Sequence, residues 1–183
     1  MNERVQLIFD RLNVLKTELS EKIAIQGKLN KEETEDTILD LLILAYVFGN
    51  ADANESLGTD IGVDTDQLYD SLYREFEGKT YVERLSKRID ENDIDGITRV
   101  METEAHRDYN EGAYNTATKG GAKYKRWSAV MDDRTRETHW YLENVRIPID
   151  QDFYTIAGNH APYPGGFGVP EEDCNCRCIA VYE

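Results

Sequence analysis

Three thiols stand at alternate positions near the end of the chain, Cys174, Cys176 and Cys178, in the run CNCRCIAVYE. On an extended strand, residues two apart share a face, so this spacing would aim all three sulfurs the same way. Zinc accepts four thiolates, or three thiolates and one imidazole, so a fourth ligand has to come from elsewhere. The histidines are His106, His139 and His160, and His139 or His160 would complete the set. Zinc sites more commonly draw on two separated pairs of ligands, and the competing reading is a row of small, buried, apolar side chains. Spacing alone leaves both open.

The same groups invite a catalytic reading. Cys176 with His139 would make a nucleophile and its base, but no third residue to orient the base can be named. A toxin-type enzyme, nuclease or transferase, would use Glu104, His139 or His160, and it meets the same lack of a fixed constellation. A protein without catalytic residues is the simpler expectation. A second metal pattern, ENDIDGITRVME, sets Glu91, Asp93, Asp95, Gly96 and Glu102 at the acidic and glycine positions of a calcium loop. Thr98 stands where an apolar residue belongs and Arg99 aims a cation at the site, so calcium is not expected and a capped turn into a helix is.

Charge narrows the partners. The 183 residues include 36 Asp and Glu against 21 Lys and Arg, for a net charge of -15. Most of such a surface repels nucleic acid, which argues against a general DNA coat protein. The exception is residues 119–136, where Lys119, Lys123, Lys125, Arg126, Arg134 and Arg136 face only Asp132 and Asp133. A weak DNA contact would be made there, through Lys119, Lys123, Lys125 and Arg126. No membrane partner is expected, because the longest apolar run, Leu41 to Phe48, is far short of the ~20 residues that cross a bilayer. The opening MNERVQLIFDRL has neither the apolar stretch nor the cleavage site of a signal peptide, so the thiols are expected to stay reduced and free.

Two kinds of element must position these groups. Apolar residues at Val5, Ile8, Leu12, Leu15, Leu19 and Ile23 predict a helix over 5–25, stopped near Gly27. A second helix, apolar nearly all round, is predicted over 31–48 with Gly49 as its end and a polar loop behind it; Asp64 or Thr65 would cap the next helix. Leu68, Leu72 and Phe76, then Tyr81, Val82, Leu85 and Ile89, keep helical spacing with a break near Gly78. A further helix spans 97–114 and stops at Gly120 and Gly121. Beyond it, Trp127, Val145, Ile147, Phe153, Tyr154 and the run from Cys176 to Tyr182 favour short strands joined by loops such as APYPGGFGVP. Asp132 and Asp133 would cap a turn into a short helix carrying His139, with Cys176 and Cys178 packed beneath it and Arg177 turned the other way to meet Asp132, Asp133 or another acid. The fold class is α+β, predominantly helical over the first two thirds and ending in a small α+β unit with short β-strands. Residues 1–63 read as a helical arm and 64–183 as a second unit, with helices over 64–118 and the small α+β unit over 119–183.

Taken in order, these pieces resemble the head morphogenesis family of tailed phages, the Mu F-type minor head proteins. METEAHRDYNEGAYN resembles that family's helix with Thr-Glu followed by Asn, with Thr103, Glu104 and Asn110 in place. Trp127, Asp132, Arg134, Thr135, Arg136 and His139 match its D-x-R-T-R-x2-H signature, and Asn175, Cys176, Arg177 and Cys178 match its terminal N-C-R-C. The resemblance runs over residues 40–183 and is densest from Tyr124 onward. It implies a non-enzymatic, low-copy component of the phage or prophage virion, present in the head and, during assembly, in the host bacterial cytoplasm. Its implied partners are portal or capsid proteins and packaged DNA. Some relatives carry Cys-x2-Cys where this chain has Arg136 and His139, which implies zinc in those members and sets His139 at the second ligand position, with the first lost to Arg136.

Overall fold

The computed structural model describes residues 3–183. Helix α1 (Glu3–Gln26) buries Val5, Ile8, Leu12, Leu15 and Leu19, the stripe that its spacing predicts. Helix α2 (Lys31–Leu57) starts under Asn30, whose side chain accepts the Glu33 N–H at 3.0 Å. Glu32 and Glu33 set negative charge against the positive end of its dipole.

Contrary to the sequence expectation, α2 does not end at Gly49. It runs eight residues further and stops at Gly58, which takes the left-handed conformation at φ 63°. Gly49 is there for contact. A Cβ at Gly49 would lie 1.9 Å from the carbonyl oxygen of Tyr109, and one at Gly112 would lie 2.3 Å from that of Tyr46. The missing side chains let α2 and helix α5 (Ile94–Lys119) lie backbone against backbone. The segment after Gly49, expected as loop, is helical because that packing outweighs its modest helix propensity.

Helix α3 (Thr65–Leu72) is capped by Asp64, which accepts from the amides of Asp66 and Gln67. Helix α4 (Tyr81–Asp90) opens on a capping box in which Thr80 and Glu83 satisfy each other's amides. Asp93 caps α5 through the Gly96 amide at 2.9 Å and pairs with Arg88 at 3.1 Å. Because α5 begins at Ile94, most of ENDIDGITRVME is helical. The capped turn is what forms.

Helices α1 to α5 share one apolar core, in which Leu15, Leu19, Leu42, Leu85, Ile97 and Met101 are buried. Of the two helices read as an arm, α1 packs on α2 and α5, and α2 packs on α4 and α5. A second cluster of Ala53, Ala113, Ala117, Ala180 and Tyr182 carries the packing from α2 and α5 onto the last strand.

The C-terminal part contains β1 (Tyr124–Ser128), α6 (Glu137–Trp140), β2 (Arg146–Pro148), β3 (Phe153–Tyr154), β4 (His160–Ala161), α7 (Pro170–Asp173) and β5 (Ile179–Tyr182). β1 is the middle strand of an antiparallel sheet ordered β2-β1-β5, and β3 pairs with β4. Its central place makes β1 alternate sharply: Lys125 and Trp127 point inward and are fully buried. Trp127 heads a third core cluster with Leu142, Phe153, Cys176 and Cys178. β5 begins only at Ile179, so the cysteines lie in the irregular chain before the strand. Among the described residues, no helix is long and apolar enough to cross a membrane.

Candidate functional site

His139 sits on the one-turn helix α6 and is 1% exposed. Its Nδ1 lies 3.7 Å from Cys176 Sγ and 3.5 Å from Cys178 Sγ. Its Nε2 lies 3.0 Å from Glu172 Oε2, on α7. The Trp127 ring meets the imidazole edge-on at 5.4 Å, and Phe167 stacks on it at 5.9 Å. Sheet, short helix and terminal segment thus converge on one imidazole.

Glu172 is held as an acceptor. Thr138 Oγ1 donates to its Oε2 at 2.9 Å and Asn159 Nδ2 to its Oε1 at 3.0 Å. Desolvation works to raise its pKa, but these hydrogen bonds and the adjacent imidazole hold it below the ordinary carboxylate value. The thiols divide their roles. A hydrogen bond from Cys176 pulls the Cys178 thiol down, helped by His139, while Cys176, as the donor in a desolvated place, is pushed up.

Cys174 is apart from this group. Asn175 takes a left-handed conformation at φ 57°, which breaks the strand-like alternation that would have aligned three sulfurs. Cys174 ends α7 instead, its amide bonded to Pro170 O, and burial raises its thiol. The potential metal donors that gather are His139, Cys176 and Cys178, all within 4.8 Å of one another. His106 approaches from α5: Nε2 meets Cys178 O at 2.6 Å, Asn110 Nδ2 donates to the same oxygen at 3.3 Å, and desolvation lowers the imidazole pKa. Sequence reasoning missed Glu172 and this use of His106. Glu172 is one of three consecutive acids, Glu171, Glu172 and Asp173, and nothing in their order marks which one turns inward; the partner of His106 lies more than seventy positions away.

The signature residues before α6 hold the terminal segment in place. Arg177 turns away from the thiols and pairs with Asp132 through both carboxylate oxygens. That pairing, and the Arg134 amide at 3.0 Å, hold Asp132 well below the usual carboxylate range. Arg136 donates to Cys174 O, and Thr135 to Val130 O. Arg134 lines a surface pocket of about 320 Å³ with Phe9, Glu102, Asn175, Cys176 and Arg177.

The other candidates stay separate. Glu104 is buried on α5 between Arg84 and Arg107, the latter at 2.7 Å. Ser71, Asp108, Glu111 and Arg74 extend that network, and burial raises Asp108 to about 6. His160 lies at the surface, 2.7 Å from Asp152 and stacked on Tyr154. Of the cations proposed for DNA, Lys119 is paired with Asp64 at 2.5 Å and Arg126 bonds to Asn144 at 3.0 Å. Lys123 is exposed. Lys125 has to be withdrawn from that set: it is fully buried, its Nζ 2.7 Å from Pro162 O and over the rings of Tyr114 and Phe153. An inward position on the middle strand leaves it no path to a phosphate.

On the outer side of the same unit, Trp140, Tyr141, Tyr154 and Ile156 are exposed to 47%, 62%, 65% and 60%. Tyr141, Tyr154 and Ile156 border a groove of about 770 Å³ with Leu142, Val145, Ile147 and Phe153, and with Asp150 and Asp152 beside them.

Comparison with known proteins picks out the same part of the chain. A family model described as Phage Mu protein F like protein matches residues 65–181. The minor head protein GP7 of Bacillus phage SPP1 is 37% identical over 83 residues, 44% of this chain and 27% of that protein. A protein of Enterococcus faecalis named NAD(+)--arginine ADP-ribosyltransferase EFV is 37% identical over 112 residues, 58% of this chain and 23% of that one. The chain thus spans about a quarter of the length of these curated relatives. No solved structure matches it.

Proposed function

The chain belongs to the Phage Mu protein F like family, and from that premise we propose that it is a non-enzymatic minor head component that docks on a portal or capsid protein. It would act in the phage head and, during assembly, in the host cytoplasm. The observation that carries this reading is the exposed aromatic groove on the C-terminal unit. Large apolar side chains grouped around a concavity are the usual anatomy of a protein contact, and Tyr and Trp dominate its energetics. Asp150 and Asp152 at the groove favour a partner segment that brings Lys or Arg beside an apolar anchor. The network around Glu104 and the closed cluster around His139 serve in this reading as supports that keep the surface rigid. DNA contact is a minor part of it, since Lys119 and Arg126 are engaged within the chain and Lys125 is buried.

The test is co-purification of the tagged full chain with the portal and major capsid proteins of the same phage genome. Capture of one of them, weakened at least ~10-fold by the pair Tyr141→Ala and Tyr154→Ala, is the expected result. A folded, monodisperse protein that captures neither would overturn the reading.

A second reading, a toxin-type transferase or nuclease, takes its support from the relative named as an ADP-ribosyltransferase. It would need Glu104, His139 and His160 to act on one substrate, whereas each has its own set of partners. Turnover of NAD(+), RNA or DNA by the purified chain, lost in His139→Ala, would favour it.

A further inference from the structure

We propose that His139 Nδ1, Cys176 Sγ and Cys178 Sγ bind a Zn²⁺ ion, with Glu172 orienting the imidazole and Cys174 outside the coordination sphere. The two nitrogen-to-sulfur distances are those of a tetrahedron's edges. Zinc bonds of ~2.3 Å to sulfur and ~2.05 Å to nitrogen at tetrahedral angles put S and N about 3.6 Å apart. The two sulfurs lie 3.7 and 3.5 Å from Nδ1, and the three donors are mutually within 4.8 Å.

Hydrogen-bond accounting leads to the same place. Glu172 already receives Thr138 and Asn159, so His139 Nε2 is a donor to it and Nδ1 keeps its lone pair. That one lone pair faces two sulfurs at nearly equal distance. It can accept from one thiol, which leaves the other thiol's proton to a neighbouring sulfur, a weak acceptor. An ion shared by all three donors uses the lone pair and both sulfurs, and two thiolates neutralise its charge in a buried place. Binding releases the two thiol protons to solvent. A ligating histidine that gives its second ring N–H to a carboxylate is the common outer arrangement at such centres, and Glu172 is placed for that role.

Three protein donors leave a fourth position. Thr135, Arg136, Asn175, Cys176 and Cys178 enclose a pocket of about 10 Å³ beside the cluster, room for one water molecule as the last ligand. Sulfur-rich donors select zinc over calcium or magnesium. The exclusion of Cys174 follows from the left-handed turn at Asn175. This inference goes beyond the docking reading and does not depend on it, since metal content is measured without any partner.

The experiment is metal analysis of the full chain purified without chelator, followed by cobalt substitution. The wild type and Cys174→Ser should each retain about one zinc per chain and give a thiolate-to-cobalt charge-transfer band. Cys176→Ser and Cys178→Ser should lose both, and Glu172→Gln should weaken zinc affinity about 10- to 100-fold. Circular dichroism shows which variants fold. The wild type and Cys174→Ser decide the matter even if the other variants do not. Only trace metal in folded wild type after zinc addition would overturn the proposal, and so would loss of metal in Cys174→Ser.

Discussion

Arg177 and Asp132 meet fork to fork, Nη1 2.9 Å from Oδ2 and Nη2 2.6 Å from Oδ1, and this pairing ties the thiol-bearing segment to the loop before α6. Bidentate geometry holds both planes in register, so the loop carrying Arg134, Thr135 and Arg136 is fixed from outside. In Asp132→Asn, trypsin should cut after Arg134 or Arg136 several-fold faster than in the wild type. Arg177 holds the Asp132 pKa down, so its contribution is present above about pH 4 and is lost as pH falls toward the lowered folded value. Unchanged digestion would mean that the loop is held by other contacts.

Glu104 is a structural carboxylate, sandwiched between the guanidiniums of Arg84 and Arg107 at 1% exposure. Removing one partner from such a buried network leaves an uncompensated cation, at a cost of about 3–5 kcal/mol. Urea denaturation of Glu104→Ala should show a loss of that size. A variant as stable as the wild type would reopen a catalytic role for this residue.

Gly49 and Gly112 are contact glycines. Gly49→Ala or Gly112→Ala drives a methyl group into a carbonyl on the facing helix, and each should cost about 3 kcal/mol or more. Gly62→Ala is the control, because nothing lies within 4 Å of its added Cβ. Thermal melts of the three variants measure the contrast. Equal, small shifts would show that α2 and α5 can separate at little cost.

Lys125 gives a pH dependence of determined sign. Burial lowers its pKa to about 8, so between about pH 8 and pH 10 the unfolded chain binds more protons than the folded one. Stability therefore rises with pH across that window, and the cost of burying the charge is fully present below pH 8. Between about pH 7.5 and 9.5 the wild type should gain on the order of 1 kcal/mol relative to Lys125→Met. Parallel stability curves for the two proteins would contradict this.

Particular residues show how much was legible beforehand. Val5, Ile8, Leu12, Leu15 and Leu19 marked the buried face of α1 because helical spacing by itself sets which side chains share a side. Asp64 was readable as a cap, and a capped turn was expected before α5, because a cap acts on amides two or three residues away. Gly49 misled because a glycine looks the same in sequence whether it stops a helix or admits a neighbour. The cysteines were half legible. Their nearness to His139 was anticipated, but alternation along a strand placed Cys174 among them, and the backbone does not stay extended through Asn175.

The sequence alone determined the stripe of α1, the Asp64 cap and the family signature, since each rests on spacing or on contacts within a few residues. The Asp132 and Asp133 cap expected for α6 does not form, because α6 starts after Arg136 without a side-chain cap and Asp132 is turned to Arg177. Which two sulfurs reach His139, that Glu172 stands behind it, and that Lys125 is buried were decided only by the tertiary structure. Those facts depend on residues more than thirty positions apart along the chain being packed together, and on one backbone turn whose direction no local pattern records.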